Sequence, residues 1–184
     1  IGPCASDSSE SREASLLLHI IGDLERISDH AVNILESAEE LREKGMSFSE
    51  AARRELAVLT GAVEETVSLT VYAFVHNDLE AAARVEPLEQ VVDTLKEQLR
   101  NRHILRLQRG ECSIEAGFVL SDLLTDLERV SDHCSNIAGS IIEMAHGSLE
   151  LHGYLDSVKE GSADFMKKYE EYAQKYALVG DAPE

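Results

Sequence analysis

The chain has 184 residues, of which 17 are Lys or Arg and 35 are Asp or Glu, so its formal net charge is −18. This charge repels nucleic acid and anionic lipid and argues against both as direct partners. Hydrophobic residues make up 43% of the chain, enough for a folded core, while its low aromatic content of 5% and 14 Gly and Pro residues favour an all-α fold over a sandwich or barrel. Three cysteines without C-x-x-C spacing exclude a disulfide framework and a cysteine zinc site.

The first predicted element is a long amphipathic helix over residues 10–44. Its central segment, D-L-E-R-I-S-D-H-A-V-N-I at 23–34, recurs as D-L-E-R-V-S-D-H-C-S-N-I at 126–137, with nine of twelve positions identical at an offset of 103 residues. Apolar residues around both copies alternate spacings of three and four, which is typical of helices in bundles. The chain therefore contains two copies of one helix.

Two more helices are predicted between the copies, over 48–76 and 78–108. Ser47 with Glu50 reads as a capping box for the first of them. Asn77 and Asp78 end that helix and cap the next, in which Pro87 predicts a kink or a delayed regular start. Ser113 caps the second motif helix, predicted over 113–146.

After Gly147 the pattern shortens, with a short helical segment at 149–158 and an interruption at Gly161. A last helix, starting at Ser162 or Asp164, carries four aromatic residues at helical spacing. We expect this stripe to dock on the bundle, the alternative being contact with a partner. It consists of Phe165, Tyr169, Tyr172 and Tyr176.

Short connections make neighbouring helices antiparallel, which predicts an all-α, up-down bundle. The second motif helix follows the two intervening helices, so residues 47–147 are predicted to form a complete three-helix repeat. Residues 1–46 then supply the last helix of an earlier, truncated repeat, and 148–184 form a helical tail. We expect such a chain to be the C-terminal part of something longer.

Pairs of carboxylates four residues apart lie on the same face of their helices. Such like-charged pairs repel, and the sequence offers two forms of compensation. One is local ion pairing of Asp23 with Arg26 and of Asp126 with Arg129; the other is a bound hard cation, which prefers carboxylate oxygens. The candidate metal ligands are Glu25 and Asp29, Glu89 and Asp93, and Glu128 and Asp132.

The repeated E-R-I/V-S-D-H-x-x-N-I motif, the upstream E-x-x-x-D and the stretch R-H-I-L-R-L-Q-R-G-E-C-S at 102–113 resemble a known family. They look like the PhoU-type domain at the cytoplasmic C-terminus of bacterial sodium/phosphate cotransporter family proteins. The tail over 165–178 is similar to the end of those proteins. The resemblance covers nearly the whole chain.

The resemblance implies a fold of PhoU-like three-helix repeats that binds divalent or trivalent metal ions. A multinuclear iron cluster is the family's usual choice, with zinc, manganese or magnesium as alternatives. Carried over, Glu89, Asp93, Glu128 and Asp132 form one complete site, and Glu25 and Asp29 form half of another. The implied function is regulation of sodium-dependent phosphate uptake from the cytoplasmic side of the inner membrane. The implied partner is a membrane transporter domain of the same polypeptide, with a homodimer as a further option.

Two other functions remain open. One is a free-standing PhoU-type adaptor that regulates a phosphate ABC transporter or its sensor kinase. The other is a structural dimerisation bundle that binds no metal. We expect no enzyme activity, since the sequence shows no nucleophile–base pairing or phosphate-binding loop, and we expect no direct membrane insertion because the longest apolar run, 16–21, is interrupted by His19.

The residues that follow each motif Asp also have two interpretations. His30 and His133 are expected to form hydrogen bonds in partly buried positions rather than to bind metal. Asn33 and Asn136 are interpreted as surface amides, with outer metal ligands as the alternative.

Overall fold

The computed structural model describes the backbone of residues 5–160 and 162–180, and the side chains of residues 10–145 and 163–180. Within these ranges all regular structure is α-helical, as predicted. The five helices are α1 (Ala5–Glu43), α2 (Glu50–His76), α3 (Leu79–Gln108), α4 (Ile114–Glu160) and α5 (Ser162–Lys175).

The ends of the helices follow from local capping, with one correction. Helix α2 is capped by Ser49, whose side chain accepts a hydrogen bond from the backbone N–H of Ala52, and not by the predicted Ser47. The C-cap Asn77 has a left-handed φ of 50°, and the Asp78 carboxylate accepts from the N–H of Ala81 at 2.9 Å. These two side chains confirm the predicted boundary between α2 and α3.

The structure corrects two predicted helix boundaries. Helix α3 begins at Leu79, so Pro87 does not delay its start but lies buried inside it. Helix α4 continues through Gly147 to Glu160, so the predicted helix end at 146 is wrong. Residues 149–158 are helical, as predicted, but they belong to α4 and are not a separate segment. A glycine inside a helix costs only about 1 kcal/mol, which flanking turns can offset. The Ser113 cap of α4 is confirmed by a hydrogen bond of 3.1 Å from the N–H of Ala116.

Helices α2, α3 and α4 pack together as an antiparallel bundle around the main core. The most completely buried aliphatic residues come from all three helices; they include Leu59, Val85, Leu88, Leu99, Leu120 and Ile137. A buried ion pair joins the N-terminal part of α2 to the C-terminal part of α3. The Arg106 guanidinium donates to both Glu55 oxygens there, at 3.0 and 2.8 Å.

By length and composition, α2 alone among the described helices is long and apolar enough to cross a membrane. One third of its most apolar stretch is buried in the bundle. Core helices of soluble proteins share these properties, and α2 contributes Leu59, Ala62 and Ala73 to the core.

Helix α1 packs against α4 and makes no comparable contact with the other described helices. The copies of the repeated helix are therefore in different environments. Leu120 and Leu127 of α4 are 1% and 6% exposed, whereas the equivalent Leu17 and Leu24 of α1 are 39% and 43% exposed.

The aromatic stripe of α5 docks on the bundle, as expected. Tyr172 is buried, and its hydroxyl accepts a hydrogen bond of 3.1 Å from Arg84 of α3. The Tyr176 hydroxyl donates to Glu65 of α2 and to the carbonyl of Gly61. These contacts hold α5 against α2 and α3.

Candidate metal centre

Three carboxylates converge on the face shared by α3 and α4. One ligand oxygen from each of Glu89, Asp93 and Asp132 lies within 4.8 Å of those of the other two. No other group of three or more His, Cys, Asp and Glu side chains meets this distance in the part of the chain whose side chains are described. The structure thus brings together three of the six predicted ligands.

Packing of the two helices positions these side chains. Glu89 and Asp93 are one turn apart on α3, and the neighbouring Leu88 and Val92 are fully buried in the core. On α4, Asp132 lies between the buried Val130 and Cys134. The apolar seam therefore holds both backbones while the carboxylates meet at its edge.

Mutual repulsion at this edge is strong. Burial, the negative charges of Asp93, Glu86 and Asp132, and a hydrogen bond with Asp132 raise the pKa of Glu89 to about 8. Burial and the charges of Glu128 and Asp132 raise the pKa of Asp93, with a smaller opposing effect from Lys96. A group of carboxylates that resist ionisation together is the electrostatic condition that a bound cation relieves.

Glu128, the fourth predicted ligand of this site, lies beside the cluster but is paired with Lys96 at 3.1 Å. Arg129 contacts Asp132 at 3.1 Å and Glu128 at 3.9 Å. Two cationic side chains therefore offset part of the negative charge. Both cations contact the same Glu128 oxygen, and Glu128 lies outside the group of three converging carboxylates, so its side chain would have to move to join them.

Glu86, which was not predicted from the sequence, adds its negative charge to this face of α3. It precedes Glu89 by three residues and raises the pKa of both Glu89 and Asp93. Ser135 of α4 donates a hydrogen bond to it. The spacing E-x-x-E-x-x-x-D places all three acids on one face, and that pattern would have identified Glu86.

The pair Glu25 and Asp29 is not part of this cluster. Both side chains are exposed on α1, and no third ligand-type side chain joins them within the described side-chain ranges. Their role as half of a second metal site stays a prediction.

Aspartate and histidine residues of the repeated motif join α1 to α4. The Nδ1 atom of His30 lies 2.7 Å from an Asp126 oxygen, and that of His133 lies 2.8 Å from an Asp23 oxygen. The two imidazole rings stack with 5.7 Å between their centroids. These reciprocal contacts confirm the hydrogen-bonding role expected for both histidines.

Asn33 and Asn136 are exposed surface amides, as interpreted from the sequence, and they donate hydrogen bonds to Asp126 and Asp23 respectively. One other expectation for these residues is wrong. Asp23 and Asp126 pair with histidines across the interface rather than with Arg26 and Arg129 on their own helices. Helix periodicity predicts which residues share a face but not which helix that face meets.

The donor set decides what chemistry the cluster can perform. It consists of carboxylate oxygens without thiolates, and hard cations such as Mg²⁺, Mn²⁺ and iron ions prefer such oxygens. In the described structure the two histidines of the motif are held by aspartates of the α1–α4 interface instead. The cluster is therefore suited to holding a hard metal ion.

Known bacterial proteins resemble this chain in sequence. A family model described as the PhoU domain matches residues 2–38 and 56–141. The phosphate-specific transport system accessory protein PhoU homolog 1 of Thermotoga maritima is 31% identical over 146 residues, which cover 79% of this chain and 62% of that protein.

Similar proteins occur in two other bacteria, both described as phosphate-specific transport system accessory protein PhoU homolog. That of Deinococcus radiodurans is 27% identical over 76% of this chain and 64% of its own length. That of Pseudomonas aeruginosa is 28% identical over 75% of this chain and 56% of its own length. The chain thus spans less than two thirds of the length of these relatives. No solved structure matches it.

Proposed function

Because the chain belongs to the PhoU domain family, we propose that it is a metal-binding regulatory module of phosphate transport. The observation that carries this proposal is the convergence of Glu89, Asp93 and Asp132 within 4.8 Å. Carboxylates that raise one another's pKa are costly to keep together without a cation. A bound metal ion gives the cluster a function and relieves its repulsion.

Glu89, Asp93 and Asp132 would hold the metal, with Glu128 as a further ligand once its side chain moves toward them. The ligand chemistry fits divalent or trivalent ions, including a multinuclear iron cluster, manganese or magnesium, with zinc less well matched to an all-oxygen set. Glu25 and Asp29 would contribute half of a second site. A bound ion supplies positive charge at which phosphate oxygens can bind.

This charge matters because the protein has a formal net charge of −18, which repels free phosphate. We assign the centre a regulatory role and no catalytic one, in keeping with the accessory function in the names of the relatives. Phosphate would act by binding to the metal or by competing with the carboxylates for it.

Two molecular settings fit this role. In the first, the domain is attached to a sodium-dependent phosphate transporter and acts on the cytoplasmic side of the inner membrane. In the second, it belongs to an accessory protein of a phosphate-specific transport system. The names of the three relatives favour the second setting.

Calorimetric titration of metal into the protein, with and without inorganic phosphate, tests the regulatory proposal. We expect millimolar phosphate to change the metal affinity at least threefold. The Asp93→Ala, Asp132→Ala double variant serves as the control and should show no such effect. An unchanged affinity in the metal-loaded wild-type protein would contradict phosphate sensing at this centre.

A further inference from the structure

We propose that an open cavity between α3 and α4 binds a small organic anion with an apolar body. The cavity has a volume of about 480 Å³ and lies between the C-terminal half of α3 and the N-terminal part of α4. Ligand pockets in proteins typically measure roughly 300–1,000 Å³. This inference goes beyond the proposed function and does not depend on a bound metal.

The apolar part of the cavity has a buried floor and exposed walls. Leu120 and Leu124 form the floor, being 1% and 4% exposed. Ile104, Ile114 and Phe118 line the walls, and the exposed fractions of these residues are 42%, 67% and 68%. An apolar ligand body would cover these walls, which otherwise face solvent.

The charged part of the cavity lining is cationic. Lys96 and Arg100 line it, and no Asp or Glu does so, although the chain contains 35 acidic residues. His103 also lines the cavity, but burial and the charge of Arg106 lower its pKa, so its imidazole is neutral at pH 7. Glu128 and Glu97 contact Lys96 and Arg100 from outside the cavity, the second at a long distance of 3.6 Å. In a protein of this net charge, a cavity whose charged lining residues are Lys96 and Arg100 alone favours an anionic ligand.

His103 supplies an independent indication of a ligand. The residue is only 8% exposed, and its Nε2 atom has no hydrogen-bond partner among the described residues. A buried polar atom of this kind ordinarily has a partner. Gly117, which also lines the cavity, leaves room for the ring, since a Cβ atom there would lie 2.6 Å from Nε2.

These features together select the ligand class. Inorganic phosphate would bind the cations but leave the apolar walls exposed. A neutral hydrocarbon would gain nothing from the charges of Lys96 and Arg100 and would leave the His103 nitrogen without a partner. A phosphate monoester or carboxylate with an aromatic or aliphatic body satisfies both parts. Its anionic group would bind the cations and its body would cover Phe118.

Titration of the full chain with 1-naphthyl phosphate, followed by calorimetry and by NMR of the protein, tests this inference. We expect saturable binding with one site per chain. The uncharged 1-naphthol and inorganic phosphate should each bind at least tenfold more weakly. Equal binding of either compound, or no binding of 1-naphthyl phosphate at 1 mM, would overturn the proposal.

Two exposed arginines near the end of α3 provide a matched pair of variants. Arg100→Gln should weaken binding of 1-naphthyl phosphate at least fivefold, whereas Arg109→Gln, which lies outside the cavity lining, should leave it unchanged. Both substitutions affect exposed side chains, so both variants should retain the wild-type circular dichroism spectrum. Equal affinity of the two variants would show that the ligand binds elsewhere and would overturn the assignment.

Discussion

The pKa of Glu89 reflects the arrangement of the whole carboxylate cluster. This pKa of about 8 results from burial first and from neighbouring negative charges second. In the unfolded chain the same group would titrate near its ordinary pKa of 4.5. Between these two values the folded protein binds a proton that the unfolded chain releases.

This difference fixes the sign of a pH effect on the metal-free protein. Stability falls as pH rises wherever the folded state binds more protons, so the free energy of unfolding should decrease from about pH 4.5 to about pH 8. Glu89→Gln should remove most of this decrease and stabilise the metal-free protein at pH 8 by about 1 kcal/mol, a modest value because solvent screens a partly exposed group.

Urea denaturation at several pH values, with chelator present, measures this effect. Glu39→Gln, a substitution of an exposed glutamate on α1, is the control and should follow the wild-type curve. A Glu89→Gln variant whose stability varies with pH as steeply as that of the wild-type protein would contradict the electrostatic description of the centre.

Among the helices, α4 shows that the repeated motif contributes residues to two different faces. Glu128 and Asp132 lie at or beside the carboxylate cluster, whereas Asp126, His133 and Asn136 contact α1. The α1 copy repeats only the second of these arrangements in the described structure. Repetition of the motif therefore reflects the α1–α4 interface as much as the carboxylate cluster.

The reciprocal hydrogen bonds predict matched effects of two substitutions. Asp126→Ala leaves His30 and Asn33 without their acceptor, and Asp23→Ala does the same to His133 and Asn136. Each should lower the free energy of unfolding by about 1–3 kcal/mol, since each leaves a partly buried histidine unpaired. Thermal and urea unfolding measure both effects, and a loss confined to one variant would contradict the symmetric interface.

Helix capping provides a second prediction at this scale. Ser49→Ala should destabilise the protein by about 1 kcal/mol, because the Ser49 hydroxyl is the acceptor for the N–H of Ala52. Ser47→Ala should have almost no effect, since Ser47 lies outside the observed cap. Urea denaturation distinguishes the two variants. A larger loss of stability for Ser47→Ala would contradict the observed cap and favour the capping box predicted from the sequence.

Local signals explain which elements the sequence could predict. Alternating apolar spacings and the Asn77, Asp78 and Ser113 signals act within one or two turns, and the structure confirms the boundaries that they predict between the central helices. The continuation of α4 past Gly147, the contribution of Glu86 and the pairing of Asp23 with His133 depend on how helices pack. Periodicity alone carries no information about that packing.

In the whole molecule, α3 and α4 carry two kinds of surface at different positions along their length. Carboxylates gather around Glu89, whereas the cavity near His103 is lined by cations and apolar groups. Lys96 connects the two surfaces, because it lines the cavity and contacts Glu128.

The division into a truncated repeat, a complete repeat over 47–147 and a tail stays a prediction, as does the transporter partner.

Metal analysis of the protein purified without chelator shows whether the carboxylate cluster binds metal. We expect at least one equivalent of a hard metal ion per chain in the wild-type protein and its loss in the Asp93→Ala, Asp132→Ala variant. The Glu25→Ala, Asp29→Ala variant removes the equivalent motif spacing from α1 and should retain at least one equivalent. Absence of metal from the wild-type protein, even after anaerobic loading with iron or manganese, or its retention in the first variant, would contradict the metal centre.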